Sequence, residues 1–227
     1  MITRNFVRDL FIEAEIGIWV HVRKAIDDGV INVNIVDSSG VSLLEVAVDN
    51  GNHGAVKYML EKKVDPNQKW HRDGTSALHN ASFSGNLESV QCLLEYGAAI
   101  NAVCPTSGRS ALFVASATGY NIEIVKHLVF KGADKELKCF NGYTPLMIAA
   151  SYGLSHIVQF LLDEGCDRTA EVAGNTCLHL AARHGRLGVV MCLIRNGVNL
   201  DATNDIGQRA VDVASSIAVK YALRRVQ

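Results

Sequence analysis

An all-α stack of short helix–turn–helix repeats is the fold class that this 227-residue sequence predicts, and three observations predict it. Turn glycines recur at one period: Gly40, Gly74, Gly108, Gly142, Gly174 and Gly207 step by 34, 34, 34, 32 and 33 residues. Two further glycine series keep the same step. One is Gly17, Gly51, Gly85, Gly119, Gly153 and Gly185; the other is Gly97, Gly132, Gly165 and Gly197, with Lys63 in the earlier equivalent place. Between these markers lies one recurring block, clearest where Gly142 is followed by Thr144, Pro145, Leu146, Ala149, Ala150 and Gly153. Thr144 can cap a helix with its hydroxyl, and Pro145 suits the first helical position, where its missing N–H costs nothing. Gly153 ends the helix.

In chain order, residues 1–36 form an atypical first unit. There, Leu10–Gly17 stands for a first helix and Trp19–Asp28 for a second. Fuller units cover 37–70, 71–104, 105–138, 139–170 and 171–203. A last unit, 204–227, keeps Gly207 but has Arg209 where the capping hydroxyl stood; its helix carries Lys220, Arg224 and Arg225. Each second helix carries a broad apolar stripe. The stripes are Val90, Leu93 and Leu94; Val125, Leu128 and Val129; Ile157, Val158, Leu161 and Leu162; and Val189, Val190, Leu193 and Ile194. Small residues on the first helices (Ala149 and Ala150, Ala181 and Ala182) let paired helices approach closely. One such pair cannot bury its own stripe, so stability has to accumulate between neighbours.

The periodicity resembles that of the ankyrin repeat. Thr144-Pro145-Leu146-Met147 carries the likeness, with the variants Ser76-Ala77-Leu78-His79 and Thr176-Cys177-Leu178-His179 and the endings Gly97-Ala98-Ala99 and Gly132-Ala133-Asp134. It spans essentially the whole chain and implies one ankyrin-type α-solenoid domain with protruding β-hairpin loops. It also implies a protein-binding module without catalysis or cofactor. Departures are local: only one unit has the motif proline, Ser42-Leu43-Leu44-Glu45 is a poor match, and several loops differ by one residue.

Composition sets bounds. A net charge of −1, from 22 basic and 23 acidic residues, argues against a general nucleic-acid or membrane-surface binder. Residues 183–227 hold seven Lys/Arg and three Asp/Glu, a local +4. This end reads as a solvated cap, with charge steering of an acidic protein surface as the second reading. The six cysteines form no C-x-x-C pair and follow small apolar positions, which suits buried thiols in a reducing compartment. No run is long and apolar enough for a membrane span, and no signal-peptide pattern opens the chain. The expected home is cytosol or nucleus, and the expected state a monomer.

The candidate chemistry is sparse. His79 and His179 share one motif position three repeats apart, about 30 Å at roughly 10 Å per packed helix layer. They cannot share a metal or substrate, and each is expected to bond near the capping hydroxyl of its own turn. No catalytic or metal site is expected.

What remains are the positions the repeat leaves open: the hairpin tips and the exposed side of the first helices, where the resemblance places partner contacts. Carried over by position, Trp70, Arg72, Phe83, Arg109, Phe140, Tyr143, Tyr152 and Arg183 collect on one concave face. Aromatic residues with arginine are the composition of interface hot spots. The expected function is therefore an adaptor, scaffold or inhibitor binding a protein partner. The alternative is a repeat segment of a longer multidomain protein, against which the start at Met1 and the cap-like last helix weigh.

Overall fold

The computed structural model describes residues 4–70 and 74–225. The chain divides into two compact units, Met1–Thr106 and Ser107–Gln227. The first holds α1 (Arg4–Glu15), α2 (Val20–Asp27), α3 (Leu43–Asp49), α4 (His53–Glu61), α5 (Ala77–Phe83) and α6 (Leu87–Glu95). The second holds α7 (Ala111–Thr118), α8 (Ile122–Phe130), α9 (Pro145–Tyr152), α10 (Ser155–Asp163), β1 (Glu171–Val172), β2 (Asn175–Thr176), α11 (Cys177–Arg183), α12 (Leu187–Arg195) and α13 (Ile217–Arg225). Within each unit the two helices of a repeat pack together across a short turn (α1 on α2, α3 on α4, α5 on α6, α7 on α8, α9 on α10, α11 on α12), and like helices of successive repeats pack side by side: α1 on α3 and α3 on α5, α7 on α9 and α9 on α11.

Capping explains where the first helices start. Thr144 Oγ1 accepts the N–H of Met147 at 3.3 Å, and Ser110 Oγ that of Phe113 at 3.2 Å. Ser42, poor as a motif match, is a good cap: Glu45 N–H donates to its Oγ at 3.2 Å while its own N–H donates to Glu45 Oε2 at 2.6 Å. Ser76 and Thr176 form the same reciprocal box with histidine in the glutamate's role. In the last unit Arg209 offers no hydroxyl. Its N–H donates to Asp212 at 2.9 Å, and residues 210–213 form turns instead of a first helix.

Preceding each capped helix is a hairpin turn. Among the described residues only 171–176 forms a two-stranded ladder, with Glu171 opposite Thr176 and Val172 opposite Asn175. Single bridges close three others, Val36–Ser42, Lys69–Ser76 and Thr203–Arg209, and before α9 the Cys139 N–H donates to the Tyr143 carbonyl at 3.0 Å.

Core composition follows the predicted stripes, with one narrowing. Val90, Leu93, Val125, Leu128, Ile157, Val158, Leu161, Val189, Val190 and Leu193 are fully buried. Leu94, Val129, Leu162 and Ile194 are half-buried, because a stripe facing one neighbouring pair covers less than half the helix. Each fully buried aliphatic side chain contributes about 1.5–3 kcal/mol. Polar links repeat between neighbours within a unit: Asn86 donates to the Gly51 carbonyl at 2.8 Å, Asn50 to that of Ala14 at 2.8 Å, and Arg186 to that of Ser151 at 3.0 Å. In the first unit, Tyr58 Oη donates to Asp27 at 2.8 Å, and Lys62 also pairs with Asp27, at 2.6 Å. Arg23 lies 5.0 Å from the Tyr58 ring centroid.

Candidate partner-binding face

In the second unit, hairpins and first-helix ends present the candidate side chains. Phe140 follows the buried Cys139, and its N–H donates to the Ser107 carbonyl of the preceding hairpin at 3.0 Å. The ring lies against Gly108, where an added Cβ would come within 2.4 Å of Phe140 Cδ1. Glycine is therefore required there twice over, since its φ is +68°. Phe140 is nevertheless 68% exposed, so the contact fixes the ring while leaving most of it to solvent. Arg109 places its guanidinium 5.6 Å from the Phe113 ring centroid. Tyr152, at the end of α9, is 56% exposed. Tyr143, half-buried, precedes that helix and accepts the Cys139 N–H through its carbonyl at 3.0 Å. Arg183, at the end of α11, donates to Asn175 Oδ1 on β2 at 2.9 Å.

The hairpins of this unit carry both signs, Glu171 and Asp205 as well as Arg109, whereas the first helices behind them carry no acid. Helices α7, α9 and α11 contain no carboxylate, and Arg109 and Arg183 stand at the hairpin and helix end.

In the first unit the outcome differs. Phe83 ends α5 and is 58% exposed, as the repeat position predicts. Trp70 is not an open side chain: it is buried, with 8% exposed. Its N–H donates across the hairpin to the Thr75 carbonyl at 2.8 Å, the bond made by Cys139 in its own turn. That register turns the side chain inward. It lines a cleft of about 440 Å³ with Glu15, Glu45, Val46, Asp49, Asn50 and Asn80. Cys104 and Cys139, both buried at the corresponding hairpin positions, were the sequence signal for this. Arg72 lies outside the described residues. The sequence reading also missed a cleft of about 720 Å³ between α1 and residues 35–38, lined by Arg8, Phe11, Ile12 and Val36. It appears because α1 begins at Arg4, well before the expected Leu10.

The histidines are structural. His79 and His179 are buried, with Nδ1 2.8 Å and 2.9 Å from Ser76 Oγ and Thr176 Oγ1. In each case the cap residue's own N–H points to Nδ1, so Nδ1 accepts and Nε2 carries the proton. Nε2 of His179 then donates to the Gln208 carbonyl at 2.9 Å, tying one hairpin to the next. Among the described residues no cluster of ligating side chains could hold a metal ion. All six cysteines are free and buried. Burial pushes the thiols of Cys166 and Cys177 up to about 12 and raises those of Cys92 and Cys192, the reverse of what a nucleophile requires. No helix among the described residues is long and apolar enough to cross a membrane.

Comparison with known proteins agrees with this geometry. The family model described as "Ankyrin repeats (3 copies)" matches twice, at residues 44–139 and 112–204. The ankyrin repeat domain of human ASB11 superposes with a TM-score of 0.81 and 28% identity, over 96% of this chain and 97% of that one. The ankyrin repeat domain of Bcl-3, a member of the IkappaB protein family, gives 0.78 and 26%, over 95% and 97%. A transient receptor potential cation channel subfamily A member 1 homolog from Caenorhabditis elegans is 30% identical over 182 residues, or 80% of this chain. The chain spans only 15% of that protein's length.

Proposed function

Because the chain belongs to the ankyrin-repeat family, we propose that it is a non-catalytic adaptor, scaffold or inhibitor, working in cytosol or nucleus by holding a partner protein against its hairpins and first-helix ends. One observation carries the reading. In the second unit Phe140 and Tyr152 stand open to solvent, with Arg109 and Arg183 nearby in the repeat pattern and no carboxylate on α7, α9 or α11. Arginine forks pair with carboxylates and aromatic rings supply rigid contact area, so the partner segment carries acidic and apolar side chains. Little of this protein needs ordering on docking. Arg183 is already held by Asn175, and the Phe140 backbone by Ser107. Such pre-ordering lowers the entropic cost of association. Phe83 in the first unit is an anchor of the same kind.

Affinity purification of the full chain with mass spectrometry, repeated with Phe140→Ala plus Tyr152→Ala, tests this. Loss of the partners that the parent captures supports the reading. A double variant that melts like the parent and keeps every partner sinks it.

A second reading is that these residues form the repeat segment of a longer protein whose activity lies elsewhere. It is favoured by the 15% share that the chain covers of its channel relative. The length of the native transcript decides between a separate adaptor and a segment.

A further inference from the structure

Around the turn from α11 to α12 stand Arg183, His184 and Arg186, all exposed, with Gly185 among them at a φ of +67°. Both guanidiniums are held, but by neutral acceptors. Arg183 Nη2 donates to Asn175 Oδ1 at 2.9 Å, and Arg186 Nε to the Ser151 carbonyl at 3.0 Å. The Arg186 stem also lies against Gly153, where an added Cβ would come within 2.8 Å of its Cδ. A guanidinium has five N–H donors, so one bond apiece orders the group and leaves the others for an anion. Neither arginine makes an ion pair among the described residues.

The elements packed around this turn supply no counter-charge. On one side lie residues 151–156, with Tyr152 56% exposed. On the other lies Ser215, whose N–H donates to the Ala182 carbonyl at 3.1 Å and whose Oγ faces Gly185. No carboxylate occurs at 151–156, 172–200 or 214–220. Helix α10 runs away from the turn, so its Asp163 lies about 12 Å off, at about 1.5 Å per residue. Asp212 is engaged with Arg209, whose N–H and Nε reach it at 2.9 Å and 3.7 Å.

The hairpin end of the same repeats is charged the other way. Glu171 and Asp205 are exposed there, and α11, seven residues long, separates Glu171 from the basic turn by about 10 Å. A uniform polyanion such as a nucleic acid, lying along this repeat, would meet repulsion at the hairpin. A peptide of mixed charge would not.

Resting on the reading that this face binds a partner protein, we infer that the α11–α12 turn receives the acidic end of the partner's segment. Carboxylates there meet Arg183, Arg186 and His184, with Tyr152 as the aromatic contact, while the segment's neutral or basic end points to the hairpins. The surface thus sets the direction in which the segment lies as well as its charge.

The test titrates the 15N-labelled full chain with a block peptide of four glutamates, a Gly/Ser spacer and two lysines. Binding is expected to move the amide signals of Tyr152, His184 and Gly185, and to weaken as salt rises from about 50 to 500 mM. A peptide of the same composition with its lysines scattered among the glutamates is expected to bind about threefold more weakly. Arg183→Gln plus Arg186→Gln is expected to weaken the block peptide about fivefold or more, and the melting temperature checks its fold. If that variant melts early, His184→Glu carries the same test, since it sets a carboxylate between the arginines and leaves both held. Shifts scattered over other basic residues, equal affinity for the scattered peptide, or unchanged affinity in the folded variant overturns the inference. So does an oligothymidylate of equal charge that binds as tightly as the block peptide. A protein lost by Phe140→Ala plus Tyr152→Ala but captured undiminished by the arginine variant overturns this inference alone and leaves the proposed function standing.

Discussion

The two units are built from one repeat but spend its open positions differently. The first, residues 1–106, carries nine basic and thirteen acidic side chains, a net −4; the second, 107–227, carries thirteen and ten, a net +3. In the first unit the hairpin aromatic Trp70 is turned inward, and the carboxylates Glu15, Glu45 and Asp49 line the cleft beside it. In the second the corresponding inward position is Cys139, small enough to leave its neighbour Phe140 as the projecting aromatic. A repeat fixes which positions are inside. It does not fix the size of what sits there, and that size decides whether an aromatic serves stability or display.

Alanine at each aromatic breaks or sharpens this contrast most directly. Trp70→Ala empties a buried site, and truncating a core Trp costs about 3–5 kcal/mol. Phe140→Ala removes a ring that is mostly in water, so its effect on stability should stay within about 0.5 kcal/mol while partner affinity falls. Urea unfolding of both variants, set beside binding to a captured partner, checks the pair. Equal destabilisation would erase the distinction between the units.

A second comparison lies within the second unit. Gly108→Ala places a Cβ 2.4 Å from the Phe140 ring and 2.8 Å from its backbone nitrogen, at a φ of +68°. A strained residue in that region costs about 1–3 kcal/mol. The double variant Gly108→Ala plus Phe140→Ala should recover part of this, because the ring is gone, but not all, because the backbone nitrogen remains. Full recovery would mean that side-chain crowding alone sets the requirement.

These cases show what was legible in the sequence and what was not. The glycine period located the paired helices, the capping residue Thr144, and the buried stripes, because each rests on short-range geometry that recurs. The histidines, too, took the role that their place three residues after a cap implied. The open side of the repeat was harder. Phe83, Phe140 and Tyr152 could be placed by register, but Trp70 was misjudged by a single hairpin position, and one position in an extended segment turns a side chain from outside to inside. The start of α1 was misjudged because no glycine precedes Leu10 to mark it.

The polar network of the first unit predicts a difference at alkaline pH. Burial and the neighbouring Asp27 carboxylate push the Tyr58 phenol up to about 12, from an ordinary value near 10. The folded state therefore holds this proton more tightly than the unfolded chain. The corresponding stability is fully present below about pH 10 and is lost as pH rises toward about 12. Asp27 works in the opposite sense. Hydrogen bonds from Lys62 and then Tyr58 lower its pKa, so its contribution is present at neutral pH and fades as pH falls through the acid range. Tyr58→Phe should give a denaturation midpoint that declines less steeply than the parent's between about pH 10 and 12. The buried thiols titrate alike in both proteins and cancel in the difference.

The smallest expected effect comes from the one place in the loop-closing series where glycine is missing. Lys63 has a φ of +66°, beside +88°, +90°, +78° and +66° at Gly97, Gly132, Gly165 and Gly197. The turn has kept its left-handed conformation with a side chain attached, which costs an L-residue about 1–2 kcal/mol. Lys63→Gly relieves that strain but gives the unfolded chain more freedom, worth about 0.4–1 kcal/mol in the other direction. The net expectation is a stabilisation of about 0.5–1 kcal/mol, visible as a small rise in the urea midpoint at unchanged slope. The exposed Lys63 ammonium makes no ion pair among the described residues, so little is lost with it. Lys63→Ala separates the two contributions, since alanine keeps the strain without the lysine stem and should gain nothing. If alanine stabilises as much as glycine, the conformation at this turn is not strained and the stem itself is the burden.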